Sequence, residues 1–272
     1  HHWHDVQAMT GQPFNFDGLY NEYRYKQAAY REWRDLYEKG QVNDRQKAFF
    51  EPRPPECLFD LEKDPHETHN LAGDPAYANV LVTMRRLMQE RVKSLPDLSF
   101  IPEPIFIKES GGDGFGYASK HKARIAKLVD IADLQLLPFE EAYPSLQQPL
   151  ASDDPLERYW GIITCSAFGK KAMPLAEKIR RLAESDECPF VRTRAAEFLG
   201  LTGLGDPGPI LIDVLKKIDD PAGANLILNT VVLLRDGAPR LQIDLSPLRD
   251  ASWFTASGEV SRRVNYLFGQ GQ

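Results

Sequence analysis

The sequence predicts a mainly α chain: the end of a small α+β unit, a linker, and then a short solenoid of paired helices. Three observations carry that prediction. Prolines 155, 189 and 221 recur 34 and 32 residues apart, and each opens an apolar stripe. A short apolar run, Cys57 to Leu61 (CLFDL), reads as a strand and is followed at once by a dense acidic turn. Between these regions, residues 96–117 collect prolines and the run GGDGFG. The divisions are residues 1–95, a linker at 96–117, and residues 118–272.

Residues 1–18 show no sustained period and read as a loop. From Leu19 to Lys39, the aromatics Tyr23, Tyr30, Trp33 and Tyr37 share one helical face, and Gly40 stands at the stop. Pro52, Pro54 and Pro55 end any helix before the CLFDL strand, and Asp64-Pro65 turns the chain after it. Asp74-Pro75 supplies a capping carboxylate and a first-position proline for a helix whose stripe is Val80, Leu81, Met84, Leu87, Met88 and Val92. The GGDGFG run does not match G-x-G-x-x-G, and no Lys-Ser/Thr pair follows it, so it reads as linker rather than phosphate loop.

Beyond the linker the pattern is helix upon helix. Arg158 and Arg192 both fall three residues past a unit-opening proline. Asp154-Pro155, Asp206-Pro207 and Asp220-Pro221 repeat the cap-and-proline start. Leu175, Ala176, Ile179, Leu182 and Ala183 form one stripe; Val191, Ala195, Phe198 and Leu199 form the next. Ile210 to Ile218 continue the series, and Leu226 to Leu234 are apolar nearly all round, as in a helix covered on several sides. Paired helices with a period in the low thirties resemble HEAT-like repeats.

Composition excludes some partners. A net charge of −6 and a sequence pI near 5.6 lack the basic footprint of a nucleic-acid binder. No apolar run approaches the ~18 residues a membrane helix needs. Three scattered cysteines (Cys57, Cys165, Cys188) give neither a disulfide framework nor paired metal spacing. The chain begins at His1 rather than at methionine, and it is read as a fragment whose start lies upstream.

The run Glu56, Leu58, Phe59, Asp60, Leu61, Asp64, Pro65, Glu67, Asn70, Leu71, Ala72 resembles the C-terminal segment of the sulfatase family. There a strand of the form E-L-Y-D-L leads into a D-P-x-E-x-x-N-L-A turn and a helix. The resemblance covers about residues 20–95, and the upstream stretch WRDLYEKGQVNDRQKAFFEPRPPE also looks like bacterial members related to heparan N-sulfatase. Phe59 replaces the more usual tyrosine, and Cys57 stands where an acid is often found. The resemblance implies a parent enzyme that hydrolyses sulfate esters or N-sulfates, plausibly on carbohydrate. It also implies formylglycine and a calcium ion (Ca2+) in an upstream catalytic domain of the same chain, and a periplasmic or secreted location.

No catalytic or metal-binding residue carries over. Cys188-Pro189-Phe190-Val191-Arg192 places its proline one position early for the family's Cys/Ser-x-Pro-x-Arg motif, and Ser94-Leu95-Pro96 has no arginine. Asp153-Asp154 and Asp219-Asp220 precede helix starts and read as caps. His66 and His69 read as parts of a structural turn. Substrate-binding candidates are His2, Trp3 and His4, whose imidazoles and indole suit a sulfated sugar; the other reading is a loop or core aromatic. Lys120, Lys122, Arg124 and Lys127 form either a basic strip for an anionic glycan or the wet face of a helix holding Ile125, Leu128 and Val129. A second functional reading makes the whole chain a non-enzymatic helical-repeat module that binds a protein or a glycan.

Overall fold

The computed structural model describes residues 27–50, 54–237 and 239–269. The chain is mainly α, and no strand forms among the described residues. Helix α1 (Ala28–Glu38) packs its aromatic face onto the hairpin-like return through α2 (Asp44–Lys47). Trp33 lies 4.8 Å from Phe49 and Tyr37 stacks on Phe50 at 4.6 Å, ring centre to ring centre. Gly40 takes a left-handed φ of 67° between the two helices, where a Cβ would be strained. The aromatic period is therefore borne out over 28–38; residues 19–26 lie outside the described part.

An irregular stretch follows, then a 3-10 turn capped by Asp74, and then α3 (Ala78–Ser94). The strand expected at Cys57–Leu61 is not formed. A strand exists only through a ladder partner, and among the described residues none lies alongside. The segment is held instead by the side chain of Asn70 and one backbone bond, Leu71 N–H to Leu58 O at 2.8 Å.

The stretch read as linker is also folded. A 3-10 turn at Leu98–Phe100 leads into α4 (Glu103–Ser110) and α5 (Gly114–Lys120). Phe100, Ile101 and Tyr117 are buried in the main core. The prolines and glycines here punctuate short helices: Gly111, at φ 57°, ends α4 in the left-handed conformation, and Asp113 caps α5 by accepting from Gly116 N–H at 2.8 Å.

The rest is helix on helix. In order come α6 (Lys122–Asp133), α7 (Phe139–Leu146), α8 (Pro155–Phe168), α9 (Ala176–Ser185), α10 (Pro189–Thr202), α11 (Gly208–Lys217), α12 (Pro221–Asp236) and α13 (Glu259–Phe268). Helices α6, α8, α10 and α12 pack each on the next; α9 and α11 flank α10, and α13 closes against α12. Helix α4 reaches across to α12. The cap-and-proline starts are as the sequence predicts: Asp154 accepts from Leu156 N–H, and Asp220 accepts from Gly223 N–H, both at 2.9 Å.

The core runs continuously from Phe100 to Val264. Its two largest members each find a partner for the indole N–H, as a buried tryptophan must. Trp160 donates to Phe100 O at 2.8 Å and Trp253 to Leu215 O at 2.9 Å. Gly200 lets α10 and α12 approach closely, since a Cβ there would meet Leu234 Cδ2 at 2.8 Å.

Ion pairs tie successive units together. Arg124 forks onto the Asp154 cap at 2.7 and 2.6 Å, and Arg158 forks onto Asp186 at 2.6 and 2.9 Å. Arg192, at the same offset as Arg158, donates to Ala183 O and to Asp213. Deeper still, Arg194, Glu197, Tyr159 and Thr230 form a buried network across α8, α10 and α12. Burial pushes the Tyr159 phenol above its ordinary value, against the pull of the neighbouring guanidinium.

Candidate functional site

The stretch that carries the family resemblance is a turn built on three side chains. Asp64 accepts from Thr68 N–H and His69 N–H, each at 2.7 Å, and from the Thr68 hydroxyl at 3.0 Å. Asn70 accepts from Leu58 N–H at 2.9 Å and Ala72 N–H at 3.0 Å, and donates to Glu56 O at 3.3 Å. Glu56 in turn receives the guanidinium of Arg85 on α3 through both carboxylate oxygens. Slight burial would raise the Asp64 carboxyl, but the donors from His69 and Thr68 outweigh it and hold the group below its usual range. Glu67 takes a left-handed φ of 53° at the tip.

This arrangement explains why the motif needs Asp64, Pro65, Asn70 and Leu71. Asp64 and Asn70 satisfy amides that no ladder serves, and Leu71 is the buried residue that pins the turn. Lys63 reaches both Asp60 at 2.8 Å and the Tyr77 hydroxyl at 3.1 Å, and its hydrogen bond holds the Asp60 carboxyl below the usual range. His66 and His69 are exposed on the outside of the turn. Among the described residues no three His, Cys, Asp or Glu side chains converge as a metal site.

The near-miss motif is structural as well. Cys188 is the residue before α10, half-buried, with its thiol raised by burial; Arg192 is committed to Ala183 O at 3.0 Å and Asp213 at 2.8 Å. Cys165 is fully buried, and burial pushes its thiol up to about 12, far from a nucleophilic thiolate at neutral pH. Of the basic strip, Arg124 is paired with Asp154, and Lys127 with Glu157 at 2.5 Å; Ile125, Leu128 and Val129 fill the core behind them. Lys120 and Lys122 remain on the exposed side. His2, Trp3 and His4 lie outside the described residues.

The apolar stripe of α3 is the feature that sequence reading placed but did not interpret. None of its 17 residues is buried. Val80, Met84, Leu87 and Met88, at helical spacing on one side, are each about half exposed, and Leu61, ahead of the turn, is 60% exposed. The helix touches the rest of the protein at Val92, which packs against the main core, through Arg85 on Glu56, and through polar contacts to α6. Gln89 donates to Asp133 at 2.9 Å, and Lys93 pairs with Asp130. The Glu56–Arg85 clamp was missed because its partners stand 29 residues apart, and nothing local marks them as a pair.

No family model matches the chain, and no solved structure matches it. Over 89 residues it is 33% identical to an ulvan-active sulfatase of Formosa agariphila. That alignment takes in 32% of this chain and 15% of the other protein, so the chain corresponds to a small part of that relative's length. The similarity is to a sulfatase, in part of the chain.

Proposed function

We propose that this chain is the C-terminal portion of a sulfatase-like hydrolase: a docking turn and helix, followed by a HEAT-like helical extension. The parent enzyme would hydrolyse sulfate esters or N-sulfates on carbohydrate. Its nucleophile (formylglycine) and calcium would sit in an upstream domain, and export to the periplasm or outside is the location that fits such a substrate.

One observation carries the reading. The Asp64–Asn70 turn is tightly hydrogen-bonded, and while Val92 at the end of the α3 stripe packs on the core, Val80, Met84, Leu87 and Met88 stay about half exposed among the described residues. Monomeric proteins rarely leave such a stripe open unless something docks on it. An upstream domain of the same chain is the occupant we assign to it, a reading supported by the partial likeness to a sulfatase. The chain itself contributes no reacting group to this reading; its turn and helix contribute a surface.

The test is sulfate release. The full-length gene product should liberate sulfate from sulfated polysaccharide or a sulfated monosaccharide, and residues 1–272 alone should not. Turnover by residues 1–272 alone, or none by the full-length protein on any sulfated sugar, sinks the proposal. A second reading, a helical module that binds a protein or glycan without catalysis, is favoured by one fact. Among the described residues, one continuous core runs from Phe100 to Val264.

A further inference from the structure

Helix α7 and the 3-10 turn at Gly169–Leu175 face each other across a groove of about 500 Å³. Phe139, Glu140 and Tyr143 form one wall, and Lys171 and Pro174 form the other. The lining is mostly apolar. Its rings are fixed by packing: Phe139 meets Phe168 edge-on at 5.3 Å and lies 5.6 Å from Tyr143.

The polar groups on this groove are unused. The Glu140 carboxylate, the Tyr143 hydroxyl and the Lys171 ammonium have no hydrogen-bond or ion-pair partner among the described residues. Elsewhere in the same unit, charged groups at helix junctions are tied up, as in Arg124–Asp154 and Arg158–Asp186. An apolar floor with a few convergent polar groups is the usual make-up of a small-ligand site.

We propose that this groove binds one ring of an anionic polysaccharide, a sugar bearing sulfate or carboxylate. A pyranose has an apolar C–H face and a rim of hydroxyls. The face lies against Tyr143 and Pro174, ring hydroxyls donate to Glu140, and the anionic substituent meets Lys171 on the opposite wall. A proline-rich peptide also suits aromatic grooves, but proline lacks the N–H donors that the Glu140 carboxylate would accept. The proposal rests on the sulfated-carbohydrate reading above and deepens it. The groove is a second contact on the polymer, away from the chemistry.

The experiment uses the full-length gene product and affinity electrophoresis against a sulfated uronic-acid polysaccharide, its desulfated form and a neutral glucan, with a proline-rich peptide as competitor. The wild type should be retarded by the sulfated polymer and less or not at all by the neutral one. The desulfated arm separates sulfate from carboxylate as the group Lys171 reads. Lys171→Glu, an exposed position that spares folding, and Tyr143→Ala should each weaken binding about tenfold or more. Glu140→Gln should weaken it about threefold, since an amide oxygen is a poorer acceptor than a carboxylate. Binding within twofold of wild type in both Lys171→Glu and Tyr143→Ala overturns the proposal, as does equal binding to the neutral glucan or preference for a proline-rich peptide.

Sulfate release from a sulfated monosaccharide, too short to reach the groove from a distant catalytic site, separates the two readings. Release that persists while the variants bind normally removes the groove and leaves the sulfatase. Variant-sensitive polymer binding without any release by the wild type removes the sulfatase and leaves the groove.

Discussion

Two helices of this chain have similar apolar stripes and opposite fates. Helix α9 is 10 residues long and buries Ala176, Ile179 and Ala183 against α10. Helix α3 is 17 residues long, fully buries none of them, and rests on the core at Val92. The contrast extends to their surroundings. Residues 96–269 share one core from Phe100 to Val264, whereas residues 27–95 bury only Tyr30, Phe50 and Leu71 among the described hydrophobics. An apolar stripe makes a helix amphipathic; it does not supply the surface that the stripe covers. Residues 96–269 largely supply their own partners, whereas the face of α3 at Val80, Met84, Leu87 and Met88 stays half exposed among the described residues.

The comparison breaks most sharply in the buried network. Arg194→Leu leaves Glu197 buried without its counter-ion and should cost the helical part about 3–5 kcal/mol in chemical denaturation. A loss below about 1 kcal/mol would mean that this network is solvated and that the core is looser than its packing indicates.

The Asp154 cap gives a smaller effect with a pH signature. Burial alone would raise its carboxyl, but the Arg124 fork and the Leu156 N–H hold it below the ordinary range. A carboxyl depressed in the folded state contributes stability above its unfolded pKa and loses it as pH falls through the folded value. Wild-type stability should therefore decline as pH drops below about 4, and Asp154→Asn should flatten that decline while costing about 1 kcal/mol near neutrality. An unchanged acid profile in the variant would contradict the assignment.

In the motif region the effects should be local. Asp64→Ala strips acceptors from Thr68 and His69, and proteolysis within residues 60–72 should speed up while the helical part's unfolding midpoint stays put. A shift of that midpoint would couple the two regions more tightly than Val92 and the polar α3–α6 contacts allow.

Smallest of all is Leu87→Lys. In residues 1–272 alone it should change stability by no more than about 0.5 kcal/mol, because the side chain is already half in water. In the full-length protein the same change should destabilise or dissociate the docked region. Equal effects in both would remove the docking face.

The legible and illegible parts of this fold divide along physical lines. Proline-led helix starts at Asp154 and Asp220 are local chemistry, and they appear where the sequence places them; Asp206 stands one residue further out, before an N-cap at Pro207, and accepts from Gly208 N–H. The aromatic face of α1 was readable for the same reason, since Tyr30, Trp33 and Tyr37 recur at helical spacing. The CLFDL strand was not recoverable, because extended backbone becomes a strand only beside a second one. The supposed linker misled because Gly111 and Asp113 are helix-end signals as well as loop signals, and only the burial of Phe100 and Tyr117 decides between the two. The groove residues were passed over in sequence, since Phe139, Tyr143 and Lys171 come together only when α7 meets the 169–175 turn.

The most direct test of the central contrast is amide hydrogen exchange, run on residues 1–272 and on the full-length gene product under the same conditions. The account predicts that amides of Ala78–Ser94 exchange fast in the isolated chain and become protected in the full-length protein. Those of α8, α10 and α12 should be equally slow in both. Equal protection of Ala78–Ser94 in the two proteins would contradict it, because the stripe on α3 would then have no upstream partner.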